Sequence, residues 1–119
     1  MLQPAPEADD QRPIYVEIKN TTWSAADLAL FPDTVTERGQ KHLAELMQVL
    51  PDARAVLIPC VSRSDVKRFA PGDSADPRYG ELFRQAIDAG VEVVPCQFSF
   101  AADAVRFEGV LPVQRTESG

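Results

Sequence analysis

The chain has 119 residues, enough for one modest domain, with 45% hydrophobic and 25% charged side chains, an ordinary globular balance. Its net charge of −6 argues against indiscriminate nucleic-acid binding by the whole surface, because phosphate contacts need lysine and arginine. No apolar run approaches the roughly 20 residues that span a bilayer, and Met1 to Glu7 has neither a basic nor an apolar stretch, so no secretory signal is read and a cytoplasmic location without a membrane partner is expected.

Residues 1–12, rich in Pro, Ala, Asp and Glu, read as a flexible segment. A first strand is predicted from about Pro13 to Lys19. Side chains alternate across a strand, so Glu17 and Lys19 share one face and Val16 and Ile18 the other. Asn20 to Asp33 reads as irregular, anchored by Trp23, Leu28, Leu30 and Phe31, with Pro32 biasing Phe31 away from helix. Thr34 followed by Glu37 fits a capping box. A helix then runs to about Leu50, with Val35, Leu43, Leu46, Met47 and Leu50 at core-facing spacing, and Pro51-Asp52 ends it.

Ala53 to Val61 is nearly continuous apolar sequence and reads as a central strand buried on both faces. Pro59 within it implies a bulge or strand end. Ser62 to Asp76 is polar, with a short helical turn near Asp65 to Phe69 and a turn at Pro71-Gly72-Asp73. Asp76 as N-cap and Pro77 at the first position open a second helix, which buries Tyr79, Leu82, Phe83, Ala86 and Ile87 and closes at Gly90. Val91 to Phe100 reads as a further strand, Asp103 as a turn, and Val105 to Phe107 and Val110 to Val113 as short edge strands. Residues 114–119 read as a frayed tail. The order β-α-β-α-β over residues 13–113 predicts an α/β class, with a mixed β-sheet flanked by helices.

Two places could carry chemistry. A carboxylate beside an ammonium on a strand, as at Glu17 and Lys19, can hold a hard cation and orient water against a phosphate. The same spacing also fits an ordinary ion pair on a solvated sheet face. Thr36, Arg38, Gly39, Lys41 and His42 occupy the first turns of the first helix, where Arg38 lies on one face with Lys41 and His42. Cations there oppose the helix dipole, which an anionic ligand would explain; a solvated polar face is the plainer alternative. His42 is the single histidine, no serine or cysteine stands in a nucleophile turn, and no glycine-rich phosphate loop is present. Cys60 and Cys96 show no metal-ligand spacing and read as reduced thiols.

The strings Tyr15-Val16-Glu17-Ile18-Lys19-Asn20-Thr21-Thr22 and Ala29-Leu30-Phe31-Pro32-Asp33-Thr34-Val35-Thr36-Glu37-Arg38-Gly39-Gln40-Lys41-His42-Leu43 resemble the sugar fermentation stimulation protein A family. So do Arg68-Phe69, Asp76-Pro77 with Tyr79, and Gly90-Val91-Glu92-Val93. The resemblance covers about Ile14 to Val113. It implies a DNA-binding, nuclease-like domain with a partial restriction-endonuclease-like PD-(D/E)xK core. Glu17 and Lys19 would match the E-x-K half of that motif, with Glu17 as a ligand of Mg²⁺ or Mn²⁺. Lys41 would match a supporting lysine, and Thr36, Arg38 and His42 would contact DNA or RNA.

Family members also carry a Ser-Arg-x-Asp segment whose aspartate is the other metal ligand, and an OB-like domain; neither stands in these residues. The resemblance therefore implies a C-terminal fragment whose phosphodiester hydrolysis is weak or absent. Its exposed strand edge is expected to favour self-association. A non-catalytic DNA-binding regulator of sugar metabolism is the alternative.

Overall fold

The computed structural model describes residues 1–119. Its elements in chain order are β1 (Ile14–Thr21), β2 (Trp23–Ala25), β3 (Leu28–Phe31), α1 (Glu37–Gln48), β4 (Arg54–Val61), β5 (Arg68–Pro71), α2 (Pro77–Ala89), β6 (Glu92–Val93), β7 (Cys96–Ala101) and β8 (Ala104–Val110). The class is the expected mixed α/β. A five-stranded sheet runs β1-β4-β7-β8 with β6 also on β4, and a three-stranded sheet runs β2-β3-β5. β1 and β4 are parallel and in unbroken register from Ile14 opposite Arg54 to Thr21 opposite Val61. No helix is long and apolar enough to cross a membrane.

In the main core cluster Leu43 and Leu46 of α1 meet Leu57 and Val61 of β4 and Tyr79 and Phe83 of α2, and Leu28, Leu30 and Ala70 form a smaller second cluster. Both helices therefore cover the same face of the large sheet. The opposite face is largely bare. Ile18 and Phe100 are each 62% exposed, whereas on β4 Val56 is buried and Ile58 and Cys60 are half-buried, so the central strand, expected to be buried on both faces, is fully covered on one face and partly covered on the other. The continuous apolar run could not reveal this, because a run without alternation carries no face preference.

Several boundaries differ from the expected ones, each for a tertiary reason. α1 begins two residues late: Thr36, not Thr34, is the N-cap, and its hydroxyl accepts from the Gly39 amide at 3.0 Å. Val35 thus precedes the helix and is 62% exposed rather than core-facing. The stretch read as irregular forms the β2–β3 hairpin. Its turn places Ala26 at φ 53, a conformation that glycine or asparagine usually marks in sequence. The expected helical turn at Asp65 to Phe69 is instead the approach to β5, which pairs in parallel with β3; Phe69 is fully buried there.

Pro59 causes no bulge towards β1. Leu57 O accepts from Val94 N on the other side, and alternate residues point the same way, so the missing Pro59 donor faces the gap between β6 and β7. Val94 and Pro95 lie in that gap, and the expected single strand over Val91 to Phe100 is split there. β8 is one strand, with a register shift opposite Gln97 and Phe98. Cys60 and Cys96, distant in sequence, are register partners on β4 and β7; both are free thiols, and burial, with Cys60 as neighbour, pushes the Cys96 thiol up. Residues 114–119, read as a tail, make contacts with the rest of the chain. Gln114 N donates to Phe69 O at 2.7 Å, Arg115 pairs with Asp88 at 2.8 Å, and Glu117 N donates to Asp73 at 2.9 Å. Near the other end, Leu2 exchanges two backbone hydrogen bonds with Ile14.

Candidate functional site

β1 turns Glu17 and Lys19 toward α1, because α1 covers the face that the odd-numbered residues of β1 share. Register sets Leu57 beside Glu17 and Pro59 beside Lys19, both buried, so the two charges rest on an apolar floor. Thr21, itself buried, donates its hydroxyl to Lys19 O at 3.2 Å and pins the strand end. From α1, His42 reaches the same point.

Three atoms form a closed triangle. Lys19 Nζ lies 3.0 Å from Glu17 Oε1, His42 Nδ1 lies 2.9 Å from the same oxygen, and Lys19 Nζ lies 2.7 Å from His42 Nδ1. A proton on Nδ1 would point at Glu17 and oppose the ammonium. An ammonium, with three donors and no acceptor, can serve both neighbours at once. With Nδ1 unprotonated, Lys19 donates to both Glu17 and His42 while two acceptors face each other across the 2.9 Å His42–Glu17 contact; with Nδ1 protonated, His42 donates to Glu17 and its N–H opposes the ammonium. Glu17 is itself about a third exposed along its side chain, at 31%, so the carboxylate also meets solvent. The charge-assisted Lys19 contacts are strengthened by the low-dielectric floor.

The remaining sequence-predicted residues are not drawn into this triangle. Lys41 is 76% exposed along its side chain and lies 4.0 Å from Glu45, a geometry of little energetic weight. Arg38 is exposed one turn before His42 and makes no ion pair. Thr36 is committed to the helix cap: its hydroxyl accepts from Gly39 and its amide donates to Asp76 at 2.9 Å.

Asp76 is a junction that sequence showed only in part. Its carboxylate caps α2 through Tyr79 N at 3.0 Å, accepts from Thr36 N, and accepts from Gln40 Nε2 at 3.1 and 3.0 Å. One buried carboxylate thus ties the start of α1 to the start of α2. Burial acts to raise its pKa, but the donors Thr36, Gln40, Tyr79 and Arg78 outweigh that and hold it below the usual carboxylate value. The Asp76-Pro77 signal identified the α2 cap; nothing local identified Thr36 and Gln40 as its other partners.

A cleft of about 300 Å³ opens beside the triangle, lined in part by Tyr15, Glu17, His42, Glu45 and Leu46. The Mg²⁺ or Mn²⁺ implied by the resemblance meets a poor donor set here. No group of three or more His, Cys, Asp and Glu side chains could hold a metal ion, and the single carboxylate of the triangle already faces an ammonium. Mg²⁺ requires near-octahedral oxygen coordination. Asp10 is no substitute: it is bound to Arg12 at 2.7 Å, a contact that lowers its pKa to about 2. The residues of this chain do not, by themselves, fit that ion.

Residues 5–104 match the family model described as the sugar fermentation stimulation protein RE domain. A sugar fermentation stimulation protein homolog of Synechococcus sp. (strain RCC307) is 98% identical over 119 residues, spanning 100% of this chain and 48% of the relative. A homolog from Synechococcus sp. (strain WH7803) is 73% identical over 114 residues, covering 96% of this chain and 45% of the relative. The chain therefore spans about half the length of these curated relatives. Among solved structures, Pyrococcus furiosus SfsA in complex with Ca²⁺ superimposes with a TM-score of 0.81 at 25% identity, over 96% of this chain and 54% of that one.

Proposed function

This chain belongs to the sugar fermentation stimulation protein family, and on that premise we propose that it is a nucleic-acid-binding, nuclease-like domain with little or no phosphodiester hydrolysis of its own. The observation that carries the reading is the Glu17–Lys19–His42 triangle, which holds the E-x-K pair in a fixed geometry with only one carboxylate. DNA is the expected partner, RNA the second. Arg38 and Lys41, exposed on the same helix, supply phosphate contacts beside the triangle, of which His42 is the α1 member. The cell compartment in this reading is the cytoplasm. The hard cation of the family enters only weakly: the Pyrococcus relative is described with Ca²⁺, whereas Glu17 alone offers one carboxylate.

The neutralising contact of Lys19 on Glu17 gives weight to the second reading, a DNA-binding regulator that does not cut. A third element of the proposal is self-association. β1 is an outer strand of its sheet, paired on its free side only through Leu2 at Ile14, and such an edge accepts a strand from a second copy.

The test is plasmid cleavage in Mg²⁺ and in Mn²⁺, with fluorescence anisotropy on a labelled DNA duplex, each with and without EDTA. Binding with no cleavage, or a trace of it, is expected. Robust Mg²⁺-dependent cleavage that Glu17→Ala abolishes would overturn the loss of hydrolysis. Binding that survives EDTA with no cleavage selects the regulator. Absence of binding refutes both.

A further inference from the structure

Cys60 and Cys96 are the two cysteines of the chain, and the fold makes them register partners in the parallel ladder of β4 and β7. Register partners in a parallel ladder point to the same face of the sheet. On β4 that face also carries Val56 and Ile58, while Ala55, Leu57 and Val61 pack into the helix-covered core. Both thiols are free and half-buried. Val110, which pairs with Cys96 from the other side, is 58% exposed, so solvent reaches the face beside the pair.

Neighbouring strands lie about 4.8 Å apart. A disulfide joins Cα atoms roughly 4.4–6.8 Å apart whose Cβ vectors do not diverge. The register of Cys60 with Cys96 satisfies both conditions. Backbone pairing is sparse at this point. β4 and β7 pair only at Cys60–Cys96 and Val61–Gln97, and Pro59 and Pro95, immediately before the cysteines, have no amide to donate. A covalent link here would tie β7 to the sheet where few hydrogen bonds do so. Asn20 of β1 is the other register partner of Cys60, so the row Asn20–Cys60–Cys96 begins next to Lys19. Burial, and then the Cys60 neighbour, pushes the Cys96 thiol up, in keeping with two sulfurs side by side in an apolar setting. An S–S bond there has no charge to solvate.

We propose that Cys60 and Cys96 form a reversible dithiol–disulfide site whose co-reactant is a small disulfide of the glutathione class. One cysteine thiolate attacks a sulfur of oxidised glutathione, forming a mixed disulfide and releasing one glutathione thiol. The second thiolate attacks the protein sulfur of that mixed disulfide and releases the other. The S–S bond of the protein forms as that of glutathione breaks. Two electrons pass to glutathione, and the two cysteine protons end on its thiols. Disulfides of cytoplasmic proteins are typically transient and redox-sensing rather than structural, so the bond forms and opens with the thiol poise of its surroundings.

The full chain is equilibrated with mixtures of oxidised and reduced glutathione, quenched with iodoacetamide, and weighed by intact mass spectrometry. The expected product is a monomer that has lost two hydrogens and takes up no alkyl group. Its fraction follows the ratio of oxidised glutathione to the square of reduced glutathione. The same equilibrium in urea measures how readily the two thiols meet without the fold. Register holds them at a higher effective concentration than an open chain does, so the folded constant should be larger by about tenfold or more. Cys60→Ser and Cys96→Ser should each stop at one glutathione adduct. Two adducts on one chain, a bond between two chains, alkylation of both thiols at every ratio, or a folded constant no larger than that in urea would each overturn the proposal. No nucleic acid enters the measurement, so its outcome is independent of DNA binding.

Discussion

Removing the Asp76 carboxylate should cost far more than a single helix cap. Asp76→Ala deletes the α2 cap on Tyr79 N, a change typically worth about 1 kcal/mol. It also strands Thr36 N and Gln40 Nε2, which both donate to the same group. Hydrogen bonds to a charged group contribute about 1.5–3 kcal/mol each. Gln40 is half-buried and its amide can turn to water, so the Thr36 bond dominates; the total is about 3 kcal/mol. For a domain of this size that corresponds to a fall of roughly 10 °C in Tm.

Asp76→Asn keeps the shape and one acceptor oxygen, and should lose about half as much. The pH dependence separates charge from shape. The folded carboxyl titrates below its unfolded value. Its contribution is therefore complete above about pH 4, near the ordinary aspartate value, and disappears as pH falls through the lower folded value. Urea melts at pH 7 and in steps down to pH 3 measure this for wild type and both variants. If Asp76→Ala lies within about 0.5 kcal/mol of wild type, the junction between the helices is not the anchor described. If Asp76→Asn loses as much stability between pH 5 and 3 as wild type does, the linked group lies elsewhere.

Other outcomes follow from the same geometry. Arg38→Ala and Lys41→Ala should each leave stability within about 0.5 kcal/mol, because both side chains are exposed, yet lower DNA affinity and reduce the salt slope of log K by about one each; anisotropy at several salt concentrations decides this, and an unchanged slope would exclude both from phosphate contact. Ala26→Gly should stabilise rather than destabilise, by up to about 1 kcal/mol, since Ala26 sits at φ 53, where a Cβ is penalised; a loss in urea midpoint would refute the strain. Static light scattering should show apparent mass rising with concentration, as the outer edge of β1 pairs between copies; a constant monomer mass would remove self-association from the proposed partners.

The succession β1, α1, β4, α2 and the bounds of α2 were legible because their signals are local. Asp76-Pro77 and Gly90 bracket one helix, and the observed helix runs Pro77–Ala89 with Gly90 at φ 110. The Val16-Glu17-Ile18-Lys19 alternation put the acid and the lysine on one face without any knowledge of the partner strand. By contrast, Thr34 and Thr36 are both capping residues, and the choice between them depends on Asp76, 40 residues away from Thr36. The hairpin at Ala26 carries no turn signature, and the split between β6 and β7 depends on which neighbour Pro59 faces.

What the sequence determined by itself was the family, the α/β class, and the pairing of Glu17 with Lys19. These rest on side-chain period and on strings of adjacent residues, which the chain carries before it folds. Only the tertiary structure decided that His42, 23 residues from Lys19, would complete the triangle while Lys41, its neighbour in sequence, would point to solvent. It also decided that Cys60 would lie beside Cys96, and that the Tyr79 hydroxyl would be buried without a partner. Adjacent positions on a helix differ by about 100° in direction, so which of them meets a given strand is fixed by the angle at which the helix docks. That angle is set by packing of Leu43, Leu46, Tyr79 and Phe83, a property of the assembled core that no single segment carries.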